Sequence, residues 1–268
     1  MLLEIYWLSW GMRRIEIGND LHALRLFQGA GFMRSNKTVI LILLILIGIS
    51  ALAYLPLISR LGYYNDDWYL MYDARTQGAQ FFHEIFSSDR PGRAFLMIPL
   101  YSLFGSNPIY YNISAYLFRV MGGMLLFWIL HMLWPRRQFM CAVASILFTV
   151  YPGFLSQTNA IDYQSHLVAL FLALLSVALT IQSMLVSHNS TRLLLVITAI
   201  LTGFAYLSQM EYFIGVEAFR LSCIGVLVWR AEARSIWRRL RDTAVGYLPF
   251  MLVPVGFMSW RSLFFQAE

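Results

Sequence analysis

Charge is scarce in this 268-residue chain, in which Asp, Glu, Lys and Arg together make up 13% against 59% hydrophobic residues. A soluble domain needs about twice that charged share to cover its surface, so the composition excludes one. Cysteine is nearly absent. Cys141 and Cys223 both lie in apolar runs without CxxC or histidine spacing, which excludes a disulfide framework and a cysteine metal site and leaves two small buried side chains. No basic stripe of nucleic-acid character appears, so no nucleic-acid partner is expected. The net charge of +6 rests almost wholly on arginine and reads as a topology signal. The opening "MLLEIYWLSWGMRRIEIGND" puts its apolar run ahead of its arginines and has no small-residue cleavage site, so it does not read as a cleavable signal peptide.

What is present is lipid-soluble. Thr38 to Ser59 is an uncharged run close to the roughly 20 residues that a helix needs to cross hydrocarbon, with Pro56 near its end, where a break costs little. Further spans are expected at 112–134, 138–156, 163–186, 192–209, 213–230 and 244–265. The expected fold is therefore an all-α polytopic membrane bundle of about seven spans over 38–268, preceded by a segment, 1–37. "RAFLMIPLYSLFG", from Arg93 to Gly105, is short and interrupted by proline, and reads as a re-entrant or interfacial helix or as an eighth span.

Arginines orient the spans. Arg13, Arg14, Arg25, Arg34 and Lys37 precede the first, Arg136 and Arg137 fill a tight turn, and Arg192 follows the fourth. "RAEARSIWRRLRD" adds Arg230, Arg234, Arg238, Arg239 and Arg241. By the positive-inside rule these segments and the N-terminus are cytoplasmic. The 60–111 loop, with 151–166 and 208–217, then falls on the outer side, and the unusual polar residues gather there. The sequon at Asn189 falls on the inner side, which argues against its use.

In the first outer loop "YYNDDWYLMYDARTQG" sets Asp66 beside Asp67. Neighbouring carboxylates repel when poorly hydrated, which raises the pair's proton affinity or favours a cation, and either can take a proton from a hydroxyl within reach. Residues 68–86 read as an interfacial helix offering Trp68, Tyr69, Tyr72, Phe81, Phe82 and Phe86 to lipid or protein. "SSDRPGR" gathers Asp89, Arg90 and Arg93 around a rigid turn, where arginine can grip a phosphate bidentately or pair with Asp89. Asp162 and His166, four apart, share a helical face. Glu211 sits at a span boundary. Glu217 and Arg220, three apart inside an apolar helix, form a structural pair or orient a polar substrate.

A first span, an outer loop opening on Asp66 and Asp67, the "DRPGR" turn and many short-looped spans together resemble the N-terminal half of the GT-C membrane glycosyltransferases. These are the polyprenyl-phosphate-sugar enzymes related to protein mannosyltransferases and aminoarabinose transferases, and the likeness covers roughly residues 38–230. The resemblance implies an integral protein of the plasma (cell inner) membrane that transfers a sugar, with inversion, from a lipid-linked phosphate donor to an acceptor hydroxyl. It implies Asp66 or Asp67 as general base, with Asp66 first because the family base is usually the first acid of this loop. Arg90 and Arg93 would hold the donor phosphate; Asp162, His166, Glu211, Glu217 and Arg220, from their own placement in the chain, are further candidate substrate contacts. Some relatives use a divalent cation, although no independent metal cluster shows in this sequence. Family members run longer, so the expected partners include membrane lipids and a membrane protein completing the fold. The main rival reading is a non-catalytic integral subunit, and a weaker one is a transporter with Glu217, Arg220 and His166 on one polar path.

Overall fold

The computed structural model describes residues 18–87, 90–151, 159–231 and 235–264, with side chains from Lys37 onward. Asp89, Arg13, Arg14 and Arg234 lie outside the described residues, and Arg25 and Arg34 outside the described side chains. Helices are α1 Gly18–Ile58, α2 Asp67–Gln77, α3 Phe81–Phe86, α4 Pro91–Phe104, α5 Pro108–Leu133 and α6 Gln138–Val150. They continue with α7 Gln164–Leu185, α8 Asn189–Gln209, α9 Val216–Ala231, α10 Ile236–Tyr247 and α11 Leu252–Phe264. Two 3₁₀ turns, Glu211–Gly215 and Leu248–Met251, lead into α9 and α11. No strand occurs among the described residues.

Six stretches are long and apolar enough to cross a membrane: Lys37–Ile58, Pro108–Leu133, Gln164–Leu185, Asn189–Gln209, Glu211–Arg230 and Ile236–Phe264. In the seventh expected span, 138–156, the described residues hold the 13-residue α6, and 152–156 lie outside the described residues. At about 1.5 Å per residue that helix is shorter than the hydrocarbon layer. It nevertheless runs beside α1: Ile42 packs with Cys141 and Ala142 near one end, and the Tyr54 hydroxyl donates to the Thr149 carbonyl at 3.0 Å near the other. The described chain thus returns from the arginine turn at 136–137 toward the end where Asp67 lies.

The α7 helix is the centre of the bundle. Within its most apolar window 61% of residues are buried, against 22% in α1 and α8. Ala169, Ala173, Ser176, Ala178 and Thr180 are small enough for neighbouring helices to close on it. The outer helices expose their leucines, such as Leu52 and Leu201, as a lipid-facing surface requires.

Residues 60–107 cover the end of the bundle that carries Asp67. Asn65 adopts φ +50°, a left-handed turn that asparagine tolerates. The α4 helix starts with Pro91 at its first positions and ends at Gly105, φ +59°. Gly92 near one end of α4 abuts Ser208, and Phe104 at the other meets Tyr111 edge-on at 5.4 Å, so both ends stay at this face and α4 makes no crossing. Phe81, Phe82 and Phe86, offered by sequence to lipid or protein, are buried with Leu70, Met71 and Met97, whereas Trp68, Tyr69 and Tyr72 remain exposed.

Candidate functional site

Adjacent residues on a helix point about 100° apart, and the first turn of α2 separates the two acids accordingly. Asp66, at the N-cap without a side-chain capping bond, is exposed. Asp67 is 1% exposed. Its Oδ1 accepts the Asp162 backbone N–H at 2.8 Å and its Oδ2 the Tyr64 N–H at 3.4 Å. With its amide oriented to suit its neighbours, Asn159 donates to Asp67 Oδ1 at 2.8 Å and to the Tyr64 carbonyl at 2.9 Å. Burial pushes the Asp67 carboxyl up to about 6, against the pull of the backbone N–H donors and with the nearby Asp162 charge adding to the rise. Burial also raises the Tyr69 hydroxyl, with the charges of Asp162 and Asp66 adding to the effect. Asp67 is therefore a clasp between the first loop and the segment entering α7, and Asp66 is the accessible carboxylate.

The arginines of the turn find partners on other elements. Arg93, its side chain 7% exposed, donates from Nη2 to Asp162 Oδ1 at 2.7 Å and to the Asp162 carbonyl at 3.2 Å, with its guanidinium 4.1 Å over the Phe86 ring. Arg90 grips Glu211 with two 2.9 Å bonds, Nε to Oε2 and Nη2 to Oε1, and Arg261 of α11 stands 3.8 Å from the same carboxylate. Gly92 makes this reach geometrically available. A Cβ there would lie 2.3 Å from Ser208 Oγ and 2.7 Å from the Ser208 backbone, so only glycine lets α4 press against the end of α8.

Asp162 therefore serves Arg93, and the expected pairing on one face with His166 takes another form. Asp162 precedes α7, and His166 in its first turn stacks on Tyr163 with centroids 4.2 Å apart and faces Tyr212 at 5.7 Å. Asp66, Asp67, Tyr69, Arg90, Arg93, Asp162, His166 and Glu211 thus come to one end of the bundle.

Glu217 and Arg220 form a separate network inside the bundle. Arg220 is fully buried and donates to Thr180 Oγ1 at 2.7 Å, Ser176 Oγ at 2.8 Å and Glu217 Oε1 at 2.9 Å. Glu217 also accepts from the Tyr206 hydroxyl at 2.5 Å and the Tyr247 hydroxyl at 3.0 Å. The pair ties α7, α8, α9 and α10 together and shares no hydrogen bond with the charged end among the described residues. Burial of two charges is costly unless their other donors and acceptors find partners, and here all but Arg220 Nε of the donors and acceptors named for the pair do so.

Sequence reasoning passed over Arg119. Its Nη1 donates to the Tyr54 hydroxyl at 2.5 Å and its guanidinium lies 4.5 Å over that ring, linking α5 to α1. A lone arginine inside the apolar 112–134 run was the available signal. Asn159, Tyr206 and Tyr247 carried none, because ordinary polar residues reveal a partner only in three dimensions.

Among the described residues no group of three or more His, Cys, Asp or Glu is placed to hold a metal ion. Asp67 directs its oxygens at N–H donors, so the acidic pair does not fit a divalent cation. A groove of about 340 Å³ lies elsewhere, lined by Val39, Leu43, Met121, Phe127, His131 and Phe171, and is almost wholly apolar. No protein-family model, no curated protein and no solved structure matches the chain. The class established by fold is an all-α protein with six candidate membrane-spanning helices. The comparisons add no tie to the GT-C family.

Proposed function

We propose that this chain is a non-catalytic integral membrane subunit whose charged end is built to hold its own cover in place and to present it to a membrane partner. One observation carries the reading: most of the ionisable residues expected to act on substrate are engaged in ties between elements. Arg90 is on Glu211, Arg93 on Asp162, Asp67 on the Asp162 N–H, Glu217 on the Tyr206 hydroxyl, and Arg220 on Ser176 and Thr180. A guanidinium already in a bidentate carboxylate pair must break that pair before it can grip a phosphate. The exposed Trp68, Tyr69 and Tyr72 supply the face for a partner at the membrane surface. In this reading the N-terminus is cytoplasmic, the Asp66 loop is on the outer side, and the plasma membrane is the location. The test is native mass spectrometry of mildly solubilised membranes containing the tagged chain. A discrete complex that survives Asp66→Asn and Asp67→Asn but dissociates with Trp68→Ala/Tyr72→Ala supports the subunit, and a chain that is always monomeric overturns it.

A second reading, sugar transfer from a polyprenyl-phosphate donor, is favoured by one feature. Asp66 is an accessible carboxylate at the end of the bundle that also holds the Arg93–Asp162 pair. There it would accept the proton of an attacking hydroxyl. Transfer by the purified chain in nanodiscs, lost in Asp66→Asn while the protein stays folded, would move the assignment to this reading.

A further inference from the structure

The opposite end of the bundle has a different character. The α5–α6 turn carries Arg136 and Arg137, both exposed, and Arg230 near the end of α9 with Arg238 and Arg241 on α10 are exposed as well. The end of α9 adjoins the α5–α6 turn, because the Arg230 guanidinium lies 5.3 Å over the Trp134 ring. Arg239 covers Trp229 in the same way at 5.4 Å. Beside these cations Trp237 is 78% exposed and Leu240 47%. Asp242, within α10, is buried and its Oδ1 accepts from Arg241 Nε at 3.2 Å and Nη2 at 3.0 Å, while the Arg241 side chain is still 71% exposed. Glu232 and Arg234 lie outside the described residues.

We propose that this end is a seat for the headgroups of anionic phospholipids, with Arg137, Arg230 and Arg238 on the phosphates, the exposed charge of Arg241 beside them, and Trp237 and Leu240 in the acyl boundary beneath them. Guanidinium forks match phosphate oxygens bidentately, and the guanidinium groups of Arg230 and Arg239, held over the Trp134 and Trp229 rings, are fixed at this end of the bundle. Tryptophan is favoured at that depth, where one side of the ring is apolar and the other wet. A soluble anion would use the arginines but leave Trp237 and Leu240 bare, so a lipid is the occupant that matches both halves of the surface. Zwitterionic lipids offer the same phosphate, but their own cation opposes the arginine cluster, so the preference is for net negative headgroups. The inference stands independently of whether the chain is a subunit or a transferase.

The test uses the full chain in an uncharged detergent, offered equal amounts of phosphatidylglycerol and phosphatidylcholine, with retained lipids counted by native mass spectrometry. The expected result is a preference of about fivefold or more for phosphatidylglycerol, weakened by salt. It falls below about twofold in Arg137→Gln/Arg230→Gln/Arg238→Gln/Arg241→Gln, persists when the same four become lysine, and is unchanged by Arg60→Gln/Arg75→Gln at the other end. If the fourfold glutamine variant does not fold, Arg238→Gln/Arg241→Gln, at two exposed positions, carries the same test. Equal retention of both lipids by the unaltered chain, or a preference that survives the glutamine substitutions, overturns the proposal.

Discussion

Asp67 gives the charged end a pH dependence opposite in sign to that of a typical paired carboxylate. Its carboxyl rises from 3.8 to about 6 on folding because the side chain is taken out of water. Between those values the folded chain holds a proton that the unfolded chain has lost. This group's contribution to stability is therefore greatest below its unfolded pKa and declines as pH rises through about 6. At about 1.4 kcal/mol per pH unit, a rise of two units corresponds to roughly 3 kcal/mol. For a chain of this size that is on the order of 6 to 12 °C in unfolding midpoint. The assay is thermal unfolding in nanodiscs from pH 4 to pH 8, comparing the unaltered chain with Asp67→Asn so that other titrating groups cancel. Asparagine keeps a carbonyl for the Asp162 N–H and cannot titrate, while any clash of its amide with the Tyr64 N–H is a constant offset. The variant should gain on the unaltered chain as pH rises, with most of the change between pH 4 and pH 7. A difference between the two that stays flat with pH would show that Asp67 is not a buried titrating group.

Three further outcomes follow from named contacts. Arg220→Met leaves Glu217 buried among tyrosine hydroxyls without its cation and should cost about 3 to 5 kcal/mol, with Arg220→Met/Glu217→Gln recovering part of it in a denaturant double-mutant cycle. Gly92→Ala forces a Cβ into Ser208 and should speed hydrogen exchange across α4, whereas Gly215→Ala, with nothing within 4 Å of the added carbon, should leave exchange unchanged. Arg90→Gln removes the bidentate grip on a partly exposed Glu211 and should cost only about 1 kcal/mol by thermal unfolding, because water and Arg261 remain available to that carboxylate.

Much of the architecture was legible before any coordinates. The long apolar runs had only helices open to them, because hydrocarbon offers no partner for an unpaired backbone amide, and six of the expected spans lie on helices long enough to cross. The α6 segment was harder, since hydropathy marks apolar residues and not where a helix stops. At the site, the residue types were found but their pairings were not. Asp162 was matched to His166 by helical spacing, yet it precedes the helix and meets Arg93, which is 69 positions away in sequence.

Composition and hydropathy thus determined that this chain lives in lipid as a helical bundle and that its charges collect at the two ends, because unpaired charge is expelled from hydrocarbon. Tertiary structure alone decided that Asp67 turns inward while Asp66 faces out, and that Arg90 meets Glu211 across the face opened by Gly92. Such pairings depend on how helices dock, and docking distances are not written in the order of residues along any one helix.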